Sequence, residues 1–229
     1  MSETELKGKM SQSAYQLFGE GENYANIRVN RRGELVPSMD YNQLVIDGRV
    51  FGINMGTGDT EFPFVEVAYD DDQPQIGIEI PDGICVVPLL FEIAVEAQAG
   101  TLNQYALACG QCDALGAGTS TSMTPVNMLT RGGKKTGCTV FNTATADITA
   151  NPASETNYFE FYRHIDKYAT SDDETADNRP IRWSRYADGF GPIVKGPGFV
   201  VAYIYAGTTD AEGFLRLQWA EYETSELFP

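Results

Sequence analysis

The stretch that decides the fold is Gly196-Pro197-Gly198-Phe199-Val200-Val201-Ala202-Tyr203-Ile204-Tyr205-Ala206. A polar loop from Gly207 to Gly213 follows it, and then the return Phe214-Leu215-Arg216-Leu217-Gln218-Trp219. An apolar run, a short polar reversal and a second, alternating run are the pattern of two β-strands, and no 3.6-residue period runs beside them. The expectation is a β-hairpin that closes a sandwich. Its alternation points Leu215, Leu217 and Trp219 inward and leaves Arg216 and Gln218 facing water or a partner subunit. The alternation gives way to the polar ending Glu221-Tyr222-Glu223.

Upstream, the same grammar recurs. Ile84 to Gln98 is the best long strand, with Phe91, Ile93, Val95 and Ala97 on one face and Glu92, Glu96 and Gln98 on the other. Pro88 within it has no N–H for a central ladder, which predicts an edge, a bulge or a break. Gln75 to Ile80 alternates and ends in the turn Pro81-Asp82-Gly83. Tyr105 to Ala108, Thr139 to Asp147 and the aromatic-rich Tyr158 to Lys167 read as further strands. Asn30 to Gly33 is flanked by two short strand signals, and Asp47-Gly48 between Gln43–Ile46 and Arg49–Ile53 reads as a hairpin turn. Gly110 to Thr124 reads as a small-residue loop, and the acid-rich stretch Thr170 to Pro180 as a solvated one. No amphipathic helix and no repeat is expected. The fold class this predicts is all-β: an antiparallel double-sheet sandwich, jelly-roll-like, over residues 25–229. Residues 1–24 would form an extended N-terminal arm. Within that arm Tyr15, Leu17 and Phe18 are candidate anchors, on a neighbouring subunit or on the arm's own domain.

Charge narrows the partners. The chain has 229 residues and a formal net charge of −16, which opposes nucleic acid and anionic membrane surfaces and favours a neutral or basic partner. No apolar run approaches the roughly 20 residues that span a bilayer, and Met1 to Met10 lacks the apolar middle of a secretory signal, so folding in the cytosol is expected.

The motifs that carry chemistry are few. Cys109-Gly-Gln-Cys112 has redox-motif spacing, but the Gly/Ala/Ser/Thr-rich residues after it do not read as the helix that would stabilise a thiolate. A four-cysteine zinc site with Cys85 and Cys138 would lack a second paired knuckle, so free or structural thiols are expected. His164 is the single histidine, which removes most triad and multi-histidine metal mechanisms. A packed role for it is expected. Arg131-Gly-Gly-Lys-Lys-Thr136-Gly137 departs from the phosphate-loop pattern and reads as a basic hairpin turn that could contact an acidic neighbour. Asp70-Asp71-Asp72 reads as a solvated turn rather than a calcium loop. With 32 acids, a carboxylate pair such as Glu92 and Glu96 carries no signal for glycoside hydrolysis. Trp183, Tyr186, Tyr203, Tyr205 and Tyr222 would stack on a sugar, line a subunit interface or fill the core.

Three segments resemble structural proteins of tailed bacteriophages built on a jelly roll. They are Arg32-Gly33-Glu34-Leu35-Val36 with Asp47-Gly48-Arg49-Val50-Phe51 and the Gly-rich Gly52 to Gly58; Ile80-Pro81-Asp82-Gly83 to Gly100-Thr101; and Gly196-Pro197-Gly198 with Trp219-Ala220-Glu221-Tyr222-Glu223. The resemblance implies a virion component on the capsid exterior, such as a decoration or cement protein or a head-fibre base. Such a protein is usually a homotrimer bound to the major capsid protein or another virion protein, and it uses no cofactor, metal or catalytic residue. Interface candidates are then Tyr15, Leu17, Phe18, Arg216 and Gln218. Two other classes stay open. One is a carbohydrate-binding β-sandwich, free or on a phage tail or fibre; the other is a hydrolase with two carboxylates in a cleft.

Overall fold

A computed structural model describes residues 8–9, 24–25, 41–64, 72–97, 102–116, 121–130, 133–142, 148, 150–167, 180–188, 191–205 and 212–228. Tyr15, Leu17, Phe18, the hairpin expected around Asn30 to Gly33, Asp70, Asp71 and residues 170–179 lie outside these. Gly8–Lys9 pairs antiparallel with Tyr24–Ala25 in a ladder of its own.

Nine longer strands build the body: β1 (Val50–Met55), β2 (Ile76–Ile80), β3 (Ile84–Ala97), β4 (Leu102–Gln111), β5 (Thr139–Asn142), β6 (Thr156–Lys167), β7 (Ile181–Ser184), β8 (Gly198–Tyr205) and β9 (Glu212–Glu223). They form two antiparallel sheets packed face to face, an all-β sandwich. One sheet has six strands in the order β6-β4-β8-β2-β5, with Thr121–Met123 beside β5. The other has seven, running β7-β3-β9-β1 and then Val126–Asn127, while Phe62–Pro63 and Val194–Lys195 add to β9 and β3. The pairing is nested: β1 with β9, β2 with β8, β3 with β7, and β4 with β6. The chain is thus one long hairpin folded over, so that successive pairs fall into alternate sheets.

Side-chain alternation explains why the sheets face each other. Ile76, Ile78 and Ile80 of β2 and Val200, Ala202 and Ile204 of β8 meet Phe91 and Ile93 of β3 and Leu215, Leu217 and Trp219 of β9 in one central core. Burial of this kind stabilises by about 25 cal/mol per Å² of apolar area. The outer face of the six-stranded sheet is apolar too. Phe199, Val201 and Tyr203 join Ala106, Ala108, Phe141, Leu115 and Ile148 in a second cluster. There Phe141 lies over its register partner Gly77, and Phe199 over Gly110, so the rings occupy the space a side chain would fill.

Several sequence expectations are corrected here. The closing strands β8 and β9 are not a hairpin: β8 pairs with β2 and β4, β9 with β1 and β3, and the loop between them crosses from one sheet to the other. The reason is burial on both faces of β8, where every residue from Gly198 to Ile204 is buried. Such a strand belongs in the middle of a covered sheet. Gln43–Ile46 is not a strand but part of α1 (Tyr41–Ile46), and Asp47-Gly48 ends that helix rather than turning a hairpin. Gly48 adopts φ 68°, Gly48 N–H donates to the Val45 carbonyl and Arg49 N–H to that of Leu44, which is a Schellman cap. Two further short helices, α2 (Arg185–Asp188) and α3 (Thr224–Leu227), flank β7 and β9. Gly110 to Thr124 is not all loop, because β4 runs to Gln111 and Thr121–Met123 forms an edge strand. The described part of the basic segment, residues 133–137, is a crossing from the seven- to the six-stranded sheet rather than a hairpin turn. Pro88 behaves as expected: the β3–β9 register slips between Leu90 and Pro88, a bulge with Leu89 as the extra residue.

Candidate functional site

The outer face of the seven-stranded sheet is divided. Its lower half is apolar and covered: Tyr41, Leu44 and Val45 of α1 pack with Met128 and Tyr222 over Val50, Val87, Leu89 and Ala220. Its upper half is polar and open. Register sets a transverse row across four strands, Arg182 opposite Glu92, Glu92 opposite Arg216, and Arg216 opposite Asn54. Because residues two apart share a face, Gln218 stands one step further along β9. There it accepts a hydrogen bond from the Tyr41 hydroxyl at 3.1 Å.

Arg216 and Gln218, both picked from sequence, therefore sit on this face, at the seam between its open and covered halves. Glu92 holds the row together, with its carboxylate 3.6 Å from Arg216 Nη1 and 3.9 Å from Arg182 Nε. Both guanidiniums stay more than half exposed, so these pairs are worth at most about 1 kcal/mol each. The trio carries two positive charges against one negative in a strongly acidic chain. Burial pushes the Tyr41 phenol above its ordinary pKa while Arg216 pulls it the other way. Tyr186 of α2 meets Tyr41 edge-on at 6.5 Å and remains 54% exposed. A cavity of about 340 Å³ opens beside the row, lined by Asn54, Gly56, Thr57, Glu92, Phe214 and Arg216 among others.

The five aromatics singled out in the sequence do not gather into one platform. Trp183 is buried in the central core and Tyr203 in the second cluster, on different sheets. Tyr222 lies half-buried under the Arg49 guanidinium, 5.0 Å from its ring centre. Tyr186 alone of the five is highly exposed, and it stands against Tyr41 beside the covered half. His164 packs by its ring against Tyr105 at 6.3 Å. The thiols are free, and burial pushes both Cys109 and Cys112 up to about 11, with Glu155 adding to the effect at Cys112. Both are thiols at neutral pH, a poor state for nucleophilic attack. Burial raises Cys138 further.

Sequence reading missed one polar site. Glu221 is 9% exposed and takes hydrogen bonds from the Trp219 indole at 2.9 Å, the Gly137 amide at 2.8 Å and the Thr136 hydroxyl. It fastens the inter-sheet crossing to β9. Its signal was present, because position 221 has the same parity as the inward Leu217 and Trp219. Beside it Arg49 forks onto Glu226 of α3 at 2.6 and 2.8 Å.

The fold and this face define a class by architecture: a folded-hairpin β-sandwich with one sheet half covered and half open. In comparison with known proteins, no protein-family model, no curated protein and no solved structure matches the chain.

Proposed function

We propose that this chain is a non-enzymatic virion structural protein, a decoration or cement subunit that binds the outside of a phage shell as a homotrimer. The observation that carries the reading is the open half of the seven-stranded sheet. It presents Arg182 and Arg216 on a rigid support, with Gln218, Tyr41 and the exposed Tyr186 along its border with the covered half, and Tyr and Arg are the residue types enriched where subunits meet. The nested strand order supports it, being the wrapping that makes a jelly roll, a fold common in shell subunits. Light scattering at several concentrations tests the reading. The expected result is a concentration-independent mass near three times 25.1 kDa, together with binding to empty capsids. A monomer at every concentration that ignores assembled shells would sink it.

A second reading has one specific observation in its favour. The cavity of about 340 Å³ puts an aromatic ring, Phe214, beside the amide of Asn54, the hydroxyl of Thr57 and the charges of Glu92 and Arg216. A ring to stack on and a fan of polar groups suit a sugar. Saturable signal on a glycan array, lost in Phe214→Ala, is the expected outcome if the chain is a carbohydrate-binding module.

A further inference from the structure

We propose that the cavity beside Phe214 takes an acidic sugar, its ring stacked on Phe214 and its carboxylate held by the Arg216 guanidinium. The proposal rests on the carbohydrate reading of that cavity and names the class of sugar.

Two transverse rows of side chains meet at the cavity. In the first, Ala94 of β3 stands opposite Phe214 of β9. Leu215 stands opposite Met55, which brings Gly56 to the other side of Phe214. The ring leans over Gly56, where an added Cβ would lie 2.6 Å from its Cδ1, and it is only half-buried. An alanine and a glycine for neighbours leave it without side-chain walls. The second row is the charged one, Arg182, Glu92, Arg216 and Asn54. Phe214 and Arg216 are two positions apart on β9, so they rise from one face about 7 Å apart, close enough for one sugar ring and its carboxylate to reach both.

Charge narrows the sugar. Glu92 is shared, with Oε1 3.6 Å from Arg216 and Oε2 3.9 Å from Arg182. One carboxylate thus answers two cations, and the row keeps a positive charge. Among the described residues neither guanidinium donates a hydrogen bond, and both side chains are more than half exposed. Arg216 therefore offers the cavity a planar fork of N–H groups, a shape that meets a carboxylate with two parallel hydrogen bonds.

The rest of the lining serves hydroxyl groups. The Thr57 hydroxyl gives its hydrogen to Asp59 at 3.2 Å, which leaves its oxygen to accept, and the exposed Asn54 amide can both donate and accept. The net charge of −16 sets a background that repels bare anions. Selection then falls on an anion carried by a ring that also stacks, since only such a ligand uses Phe214 and Arg216 together.

Titration calorimetry of the full chain tests this with oligosaccharides of galacturonic, glucuronic and mannuronic acid and with the methyl ester of each, which keeps the ring and loses the charge. At least one acid should bind saturably and about tenfold or more tighter than its ester at neutral pH. Arg216→Gln should erase that preference, whereas Lys195→Gln, which removes the same charge away from the cavity, should keep it. Phe214→Ala should lose the acid and the ester alike, with folding of every variant checked by circular dichroism. Equal affinity for acid and ester, or a preference that survives Arg216→Gln, overturns the carboxylate contact and leaves the carbohydrate reading standing. No binding of any of the acids overturns the proposal, and a glycan array silent for neutral and acidic sugars alike overturns the carbohydrate reading with it.

Discussion

Glu221 ties the crossing segment at Thr136 and Gly137 to β9 through three donors. Its carboxylate answers an indole, an amide and a hydroxyl at once, in a place with almost no access to water. Truncation to Ala would strand three donors, each costing about 1–3 kcal/mol when left unmet in the interior. We expect Glu221→Ala to lower stability by about 3 kcal/mol in urea unfolding, and Glu221→Gln, which keeps one acceptor oxygen, to lose less than half of that. At this scale sequence was informative by parity. The inward Leu215, Leu217 and Trp219 and the outward Arg216 and Gln218 follow from alternation alone. Glu221 followed the same rule and was lost because its polarity argued for the surface. Charge–charge partners were not legible at all. Nothing in one chain's order of residues says that Arg182, Glu92 and Arg216 share a row, since register between distant strands makes them neighbours.

Elements were legible where burial is one-sided and misread where it is not. β2, β3, β6 and β9 announce themselves by alternation or length, as does Pro88 by its missing donor. β8 also reads as a strand, but its place does not follow from a local pattern. A strand–loop–strand segment encodes a hairpin and a crossing between sheets equally well; what separates them is the second apolar face of β8, which needs cover from Phe141, Leu115 and Ile148 far away in the chain. α1 was misread because six residues are too few for a period to show, and because Asp-Gly serves a helix end as readily as a hairpin. The small helix α3 carries a pH-dependent tie. The hydrogen bond from Arg49 holds the Glu226 carboxyl down at about 2, and the backbone amide of Glu223 adds to it. A depressed carboxylate contributes stability that is present above its unfolded value and is lost as pH falls through the folded one. The contribution should therefore fade from about pH 4.5 down to about 2, and, for a pair this exposed, amount to under about 1 kcal/mol. Glu226→Gln should flatten that part of the stability–pH curve while leaving the plateau near neutrality lower by a similar amount, as read by thermal unfolding at stepped pH.

For the whole molecule, the nested pairing makes the last strand indispensable to the first. β9 lies between β3 and β1, so removing residues 212–228 takes the centre out of the seven-stranded sheet and Leu215, Leu217 and Trp219 out of the core. A chain cut after residue 211 should show no cooperative unfolding transition by circular dichroism, and a sigmoidal one would refute the dependence. Topology was the least legible level: alternation and composition give strands and a sandwich, while the order in which they nest is decided by which buried faces can be covered together.

The neighbouring placement of β1 and β9 also has a mechanical side. Val50 pairs with Ala220, and Glu221 N–H donates to the Arg49 carbonyl, so the polypeptide enters the first strand and leaves the last at one end of the same ladder. Tension between residues 49 and 221 would peel this ladder open bond by bond, like a zip pulled from its top, instead of loading all its bonds together in shear. A subunit tethered through both of those points would be a weak link under load, whereas one gripped across its sheet face would be a strong one.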